Sequence, residues 1–213
     1  MPRSILIVGA GNIGGTLGRA WLATGHDVRF GVPDPADPKY AELPHERLQP
    51  ANERREADVI VLATPFRAMK SAIEALGDLS EAIVIDCINP LGRGPDGLRL
   101  LVGNDTSGAE QLAALAPHSF VFKTLNQTGV ENIARARAYH PKPVMFVAGD
   151  DSAKKRIVLE LVAELGFESV DAGPLLAARL LESLAMLWIE LAMKRGHSRD
   201  FAFALVKHAK TAT

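Results

Sequence analysis

The stretch Ser4-Ile5-Leu6-Ile7-Val8-Gly9-Ala10-Gly11-Asn12-Ile13-Gly14 decides the fold. Its first five residues are an almost unbroken apolar run, the pattern of a strand covered on both faces. A G-x-G-x-x-G turn follows at once, and Asn12–Thr24 then takes up helical spacing until Gly25 stops it. Asp27–Gly31 reads as a second strand. A glycine turn between a strand and a helix, ahead of a second strand, is the context that makes this motif a dinucleotide fingerprint. Gly9 permits the tight turn, Gly11 lets the backbone approach a diphosphate, and Gly14 lets helix and strand pack closely. The amides of Asn12 and Ile13, at the positive end of the helix, would hold the anion.

The same alternation continues outward. Asp58–Ala63, Ala82–Cys87, Ser119–Lys123, Val144–Ala148 and Glu168–Asp171 read as strands. Phe66–Leu76, Thr128–Ala138 and Ala153–Leu165 read as helices between them. The expected class is α/β: a Rossmann-type doubly wound, mainly parallel sheet over residues 1–172. Residues 173–213 form a small helical appendage, expected to serve dimerisation and cleft closure. Leu180, Leu184, Leu187 and Leu191 recur at spacings of four, three and four on its first helix, Leu175–Met193. A second helix is expected at roughly Asp200–Lys210. So wide an apolar face points to a homodimer built partly on the first helix. Two segments read as ligand-side loops after strand ends: Val32–Pro50 with five prolines, and Asn89–Gly108 with five glycines and a capping box at Ser107 and Glu110.

Composition removes other classes. With 24 Lys+Arg against 25 Asp+Glu, the chain has no basic excess for nucleic acid. The apolar run after Met1-Pro2-Arg3 is too short for a secretory signal, and Leu175–Met193 carries Arg179, Glu182 and Glu190, so no membrane segment is expected. A single cysteine, Cys87, excludes an internal disulfide and fits a cytoplasmic protein. None of the six histidines stands at metal-ligand spacing, so no metal is expected.

The strand ends supply further candidate cofactor contacts. At the second strand these are Val32, Pro33 and Asp34, with no acid at the tip to accept from ribose hydroxyls and no arginine after it for a 2′-phosphate. Asp34 alternatively starts a proline turn, and Lys39, or Arg29 swung round, would meet a phosphate. Ala63, Thr64 and Pro65 end one strand, Asn89 and Pro90 the next, Lys123 and Asn126 a third. Lys123 has the alternative of snorkelling to solvent, Asn126 of capping a turn, and Asp150 and Asp151 of capping a helix. No residue is singled out as catalytic.

Together these motifs resemble the coenzyme F420-dependent NADP oxidoreductases, and are similar to the cytosolic domain of the six-transmembrane metalloreductases. The resemblance runs from Ile7–Gly14 through Gly25-His26-Asp27-Val28, Phe30-Gly31 and Asp58–Pro65. It continues with Val121–Asn126, Gly149-Asp150-Asp151, and Asp171–Leu175 followed by Arg179, Glu182 and Ser183. It implies an NAD(P)-dependent oxidoreductase that moves a hydride between nicotinamide and a flat partner such as coenzyme F420 or a flavin. The cofactors carry that chemistry, so no proton-relay side chain is required. The family commonly places Ser-Arg where this chain has Val32-Pro33, which implies a weaker preference for NADP over NAD here. Two alternatives stand beside this reading: a ferric, flavin or imine reductase on the same scaffold, and a non-catalytic NAD(P)-binding redox sensor.

Overall fold

The structure is a computed structural model that describes residues 1–53, 57–95 and 97–208. In chain order, the first half comprises β1 (Ser4–Val8), α1 (Asn12–Ala23), β2 (Asp27–Val32), β3 (Leu48–Pro50), β4 (Val59–Leu62), α2 (Met69–Leu76) and β5 (Ile83–Asp86). The second comprises β6 (Leu91–Gly94), β7 (Gly97–Leu100), α3 (Gly108–Leu115), β8 (Phe120–Lys123), α4 (Val130–Ala134), β9 (Val144–Val147), α5 (Ser152–Glu164), β10 (Glu168–Asp171) and α6 (Ala178–Lys194). Six strands form one parallel sheet in the order β3-β2-β1-β4-β5-β8. The order reverses direction at β1, which puts the glycine turn at the switch point where such sheets bind ligands.

The strands are apolar throughout because each feeds two cores. Ile5 and Ile7 of β1, Val59 and Val61 of β4, and Ile83 and Ile85 of β5 pack under α1 and α5. Their neighbours Leu6, Val8, Ile60, Leu62 and Val84 pack on the other face under α2 and α3. Trp21 of α1 is fully buried, and its indole N–H donates to Leu161 O of α5 at 3.1 Å, tying those helices together.

Beyond β8 the pattern changes. β9 and β10 form a separate parallel pair, and the antiparallel bridge of Lys123 with Ala148 links it to the end of β8. Asp151 caps α5 as expected, accepting from Lys154 N at 2.7 Å. Asp150 instead receives Leu175 N at 2.9 Å and so fixes the entry to α6.

Three expectations are corrected. The proline-rich loop after β2 contains the edge strand β3, and the glycine-rich segment after β5 contains the β6–β7 hairpin. The second C-terminal helix is absent among the described residues: positions 200–208 run as an irregular strap, and positions 209 and 210 lie outside them. The strap is held by its backbone, with Val144 N donating to Phe203 O and both Trp188 Nε1 and Asn132 Nδ2 donating to Phe201 O. Finally, α6 buries Leu181, Ala185, Trp188 and Ala192. The leucine stripe lies outside that face, with Leu180 71% and Leu187 49% exposed. Among the described residues no helix is long and apolar enough to cross a membrane.

Candidate functional site

The glycine turn has the three properties its spacing requires. Gly9 sits at φ +99°, and a methyl group there would lie 2.7 Å from Ala63 O. A methyl on Gly14 would lie 1.9 Å from Gly9 O, so helix and turn touch there. On Gly11 it would meet nothing within 4 Å. Gly11 is therefore glycine for neither packing nor backbone reasons: its φ is −74°, open to any residue. It is the N-cap of α1, and no side chain caps that helix. Open space above uncapped helix amides fits a dinucleotide diphosphate. Sequence reading missed a fourth glycine, Gly18, where a methyl would lie 2.3 Å from the Phe30 ring and force α1 off β2.

Clefts open on both sides of this turn and share Asn12. One, of about 350 Å³, lies between the turn and the loop after β2; Arg19, Lys39 and Glu42 are among its walls. The other, of about 340 Å³, is lined by Ile13, Asn89, Asn126, Trp188 and Met193 among others. This pair of clefts matches a dinucleotide laid across the turn, its adenosine half toward β2 and its nicotinamide half toward β4 and β5.

The strand-end candidates divide. Asn89 and Asn126 come together: Asn126 Nδ2 donates to Asn89 Oδ1 at 3.0 Å, and Asn89 Nδ2 to Asn126 O at 3.0 Å. Their amides are locked at the floor of the second cleft. Ala63 closes on Gly9, and Pro65 begins a short 3-10 turn. Between them Thr64 Oγ1 is buried without a hydrogen-bond partner among the described residues, a group suited to a ligand at the end of β4. At the tip of β2 the Val32 side chain belongs to the core, and Pro33 is exposed. Asp34 uses Oδ1 on the amide of Ala36 at 2.9 Å, the turn-forming role. Pro90 is buried against Gly108 rather than facing a cleft. Arg29 lines a hollow with the strand starts Ser4 and Asp27, at the sheet's opposite edge, so it is removed from phosphate contact.

Lys123 is also corrected, and neither suggested role holds. Its side chain is fully buried and reaches neither a cleft nor solvent. The ammonium bridges Asp86 Oδ2 at 3.0 Å and Glu182 Oε1 at 2.9 Å, and also donates to Ile88 O. Burial alone would push its pKa down, but the two carboxylates outweigh burial and hold it above the ordinary lysine value. Glu182 in turn accepts from Gly108 N at 3.0 Å and Ala109 N at 3.3 Å, so a carboxylate from α6 seats on the start of α3. Arg179, one turn earlier, grips Glu110 of the Ser107 cap with two bonds of 2.9 and 2.7 Å. The motif cluster of α6 is thus a clamp onto α3, β5 and β8. Next to it, burial pushes the Cys87 thiol far above its usual range, which leaves it inert.

Residues 4–90 match the family model described as NADP oxidoreductase, coenzyme F420-dependent. A crystal structure from Arthrobacter sp. FB24, provisionally called an F420-dependent NADP-reductase, is 29% identical with TM-score 0.86. That match spans 96% of this chain and all of the other. The hypothetical protein SMa0349 of Sinorhizobium meliloti is 26% identical with TM-score 0.70, over 84% of this chain and 88% of that one. An Aspergillus terreus reductive aminase, solved with NADPH and ethyl levulinate, shares the fold alone: 18% identity and TM-score 0.62, over 92% of this chain and 63% of that one. The glycine turn and the sheet reversal at β1 lie within the stretch that matches the model described as NADP oxidoreductase, coenzyme F420-dependent, and together they give this chain an NAD(P)-dependent oxidoreductase scaffold similar to that family's.

Proposed function

We propose that the protein is an enzyme that binds NADP(H) or NAD(H) across Gly11 and moves a hydride between nicotinamide and a flat, conjugated acceptor, a deazaflavin such as coenzyme F420 or a flavin. The observation that carries this reading is the lining of the second cleft. Trp188, Ile189, Met193, Ile13, Leu98 and Val130 supply apolar walls, Asn12, Asn89, Asn126 and Thr128 supply neutral polar groups, and Arg199, paired with Glu131 at 2.8 and 3.1 Å, is the charged side chain of the described lining. Its described lining includes no Asp, Glu, His, Cys, Lys or Tyr. A largely apolar cleft whose cation is an arginine, which does not give up its proton, suits an acceptor whose ring spreads the arriving charge better than it suits a ketone.

The chain's own groups bind, orient and exclude water. The amides of Asn12 and Ile13 hold the diphosphate, Ala63, Thr64 and Pro65 border the ribose on the nicotinamide side, and the Asn89–Asn126 pair presents fixed amides to the reacting rings. The apolar wall displaces water, and holding two rings in contact lowers the barrier by proximity. The bound nicotinamide supplies the hydride chemistry itself.

Two chains are proposed to pair through α6, because Leu180 and Leu187 on it, and Leu176 in the turn before it, are exposed large apolar side chains. The lone buried Cys87 supports a reducing, cytoplasmic setting. The test is oxidation of NADPH and NADH against a panel of deazaflavin, flavins and ferric chelates, beside a binding titration read by tryptophan fluorescence. Turnover with a deazaflavin or flavin is the expected result. Tight binding without turnover of any acceptor would instead indicate a sensor, and turnover of ferric chelates alone a metal reductase.

A further inference from the structure

We propose that Arg19, on α1, reads the 2′-phosphate of NADP(H) in this chain, with Lys39 as a second cation on the facing wall. This rests on the dinucleotide reading above. The tip of β2 offers no cation: Val32 is buried, Pro33 has neither an N–H nor a polar side chain, and the carboxylate of Asp34 would repel a phosphate. The charge must come from elsewhere on the adenosine-side cleft, and Arg19 stands on that wall.

Side chains on a helix lean toward its N-terminus, so a residue one turn after Gly15 covers Gly15. Arg19 does this. A methyl on Gly15 would lie 3.5 Å from Arg19 Nη1 and 3.7 Å from Ala10 O, which places the guanidinium over the start of α1. Arg19 is exposed and makes no ion pair or hydrogen bond among the described residues. A planar fork with no partner, beside a diphosphate turn, is suited to a dianionic phosphate.

Lys39 lies across the cleft, paired with Asp37 at 2.5 Å, its side chain 58% exposed. Such a surface pair is weak, so turning Lys39 toward a phosphate costs little. Glu42 works in the other sense. Its carboxylate shares the cleft, where it disfavours a phosphate and accepts a ribose hydroxyl. The balance of Arg19 and Lys39 against Glu42 gives a moderate preference for NADP(H), on the order of tenfold to thirtyfold, rather than the larger one a tip arginine would add.

The experiment measures NADP⁺ and NAD⁺ binding to the full chain by calorimetry, with 2′,5′-ADP and 5′-ADP as shorter probes. In Arg19→Met, which keeps a long helix-favouring side chain, NADP⁺ and 2′,5′-ADP should weaken by about thirtyfold. NAD⁺ and 5′-ADP should change less than twofold, and the melting temperature should hold. Glu42→Gln should tighten NADP⁺ and weaken NAD⁺. Equal losses for both dinucleotides would overturn the proposal, since Arg19 would then serve the diphosphate. Unchanged NADP⁺ affinity would overturn it too, leaving the dinucleotide reading intact. A wild-type chain that binds neither dinucleotide would overturn both.

Discussion

Replacing Gly11 with Asp should move stability and ligand affinity in opposite directions. Gly11 is the N-cap of α1 at φ −74° and ψ −163°, with no side-chain cap, and a Cβ there meets nothing within 4 Å. The backbone already suits an N-capping aspartate, which accepts from the amides two and three residues on. Asp exceeds Gly at this position by a few tenths of a kcal/mol, and its charge gains roughly 0.3–1 kcal/mol from the helix dipole. The variant should therefore be more stable by about 0.5–1 kcal/mol, a rise of about 1–4 °C for a chain of this size. The same carboxylate occupies the diphosphate's place and repels it. Dinucleotide affinity should fall at least about a hundredfold, roughly 2.7 kcal/mol. Thermal melts and fluorescence titration on one preparation read both effects. Gly14→Ala is the contrast: its methyl would stand 1.9 Å from Gly9 O, so it should destabilise by about 1–3 kcal/mol or more. A Gly11→Asp protein that melts several degrees lower would sink the packing argument, and one that binds normally would sink the site.

Lys123→Met leaves Asp86 and Glu182 buried side by side and should cost about 3–5 kcal/mol in urea unfolding, part of it regained on adding Glu182→Gln; a loss under about 1 kcal/mol would contradict the clamp. The Arg179 hydrogen bonds hold the Glu110 carboxyl below its usual range. Glu110 therefore stabilises the fold above the unfolded carboxyl pKa of about 4.3, and this is lost as pH falls through the lower folded value. Glu110→Gln should flatten the acid limb of the melting profile below about pH 4.5, and an unchanged limb would refute this assignment. Leu187→Glu should convert a dimer to a species of 22.9 kDa by light scattering; wild type already at that mass would end the pairing proposal.

The sheet was legible because its strands answer to two cores. Ile5 and Leu6 face opposite layers, so the strand had to be apolar in succession, and a run of that kind has few other readings. The glycine turn was legible because each glycine answers a separate steric demand. What escaped depends on neighbours distant in sequence. β6 and β7 bury none of their residues fully and show no alternation. On α6 the stripes through Leu180 and Leu181 are similarly apolar, and docking on α3, with the strap over Trp188, decides which is buried. Lys123 ends a strand as a ligand-facing lysine would, but Glu182 meets it from fifty-nine positions later. Arg19 belongs to no motif, and only the fold brings it and Lys39, twenty positions later, to one cleft.

The seat of Glu182 on Lys123 and on the first amides of α3 bears on how the chain comes apart. A cut after residue 172 would leave a buried ammonium with one of its two carboxylates and expose the α3 amides that Glu182 covers. The change in pattern at Gly173 is therefore not expected to mark a point of independent folding. Residues 1–172 expressed alone should populate a loose, protease-sensitive state, whereas the whole chain should melt in one calorimetric transition with sheet and α6 lost together.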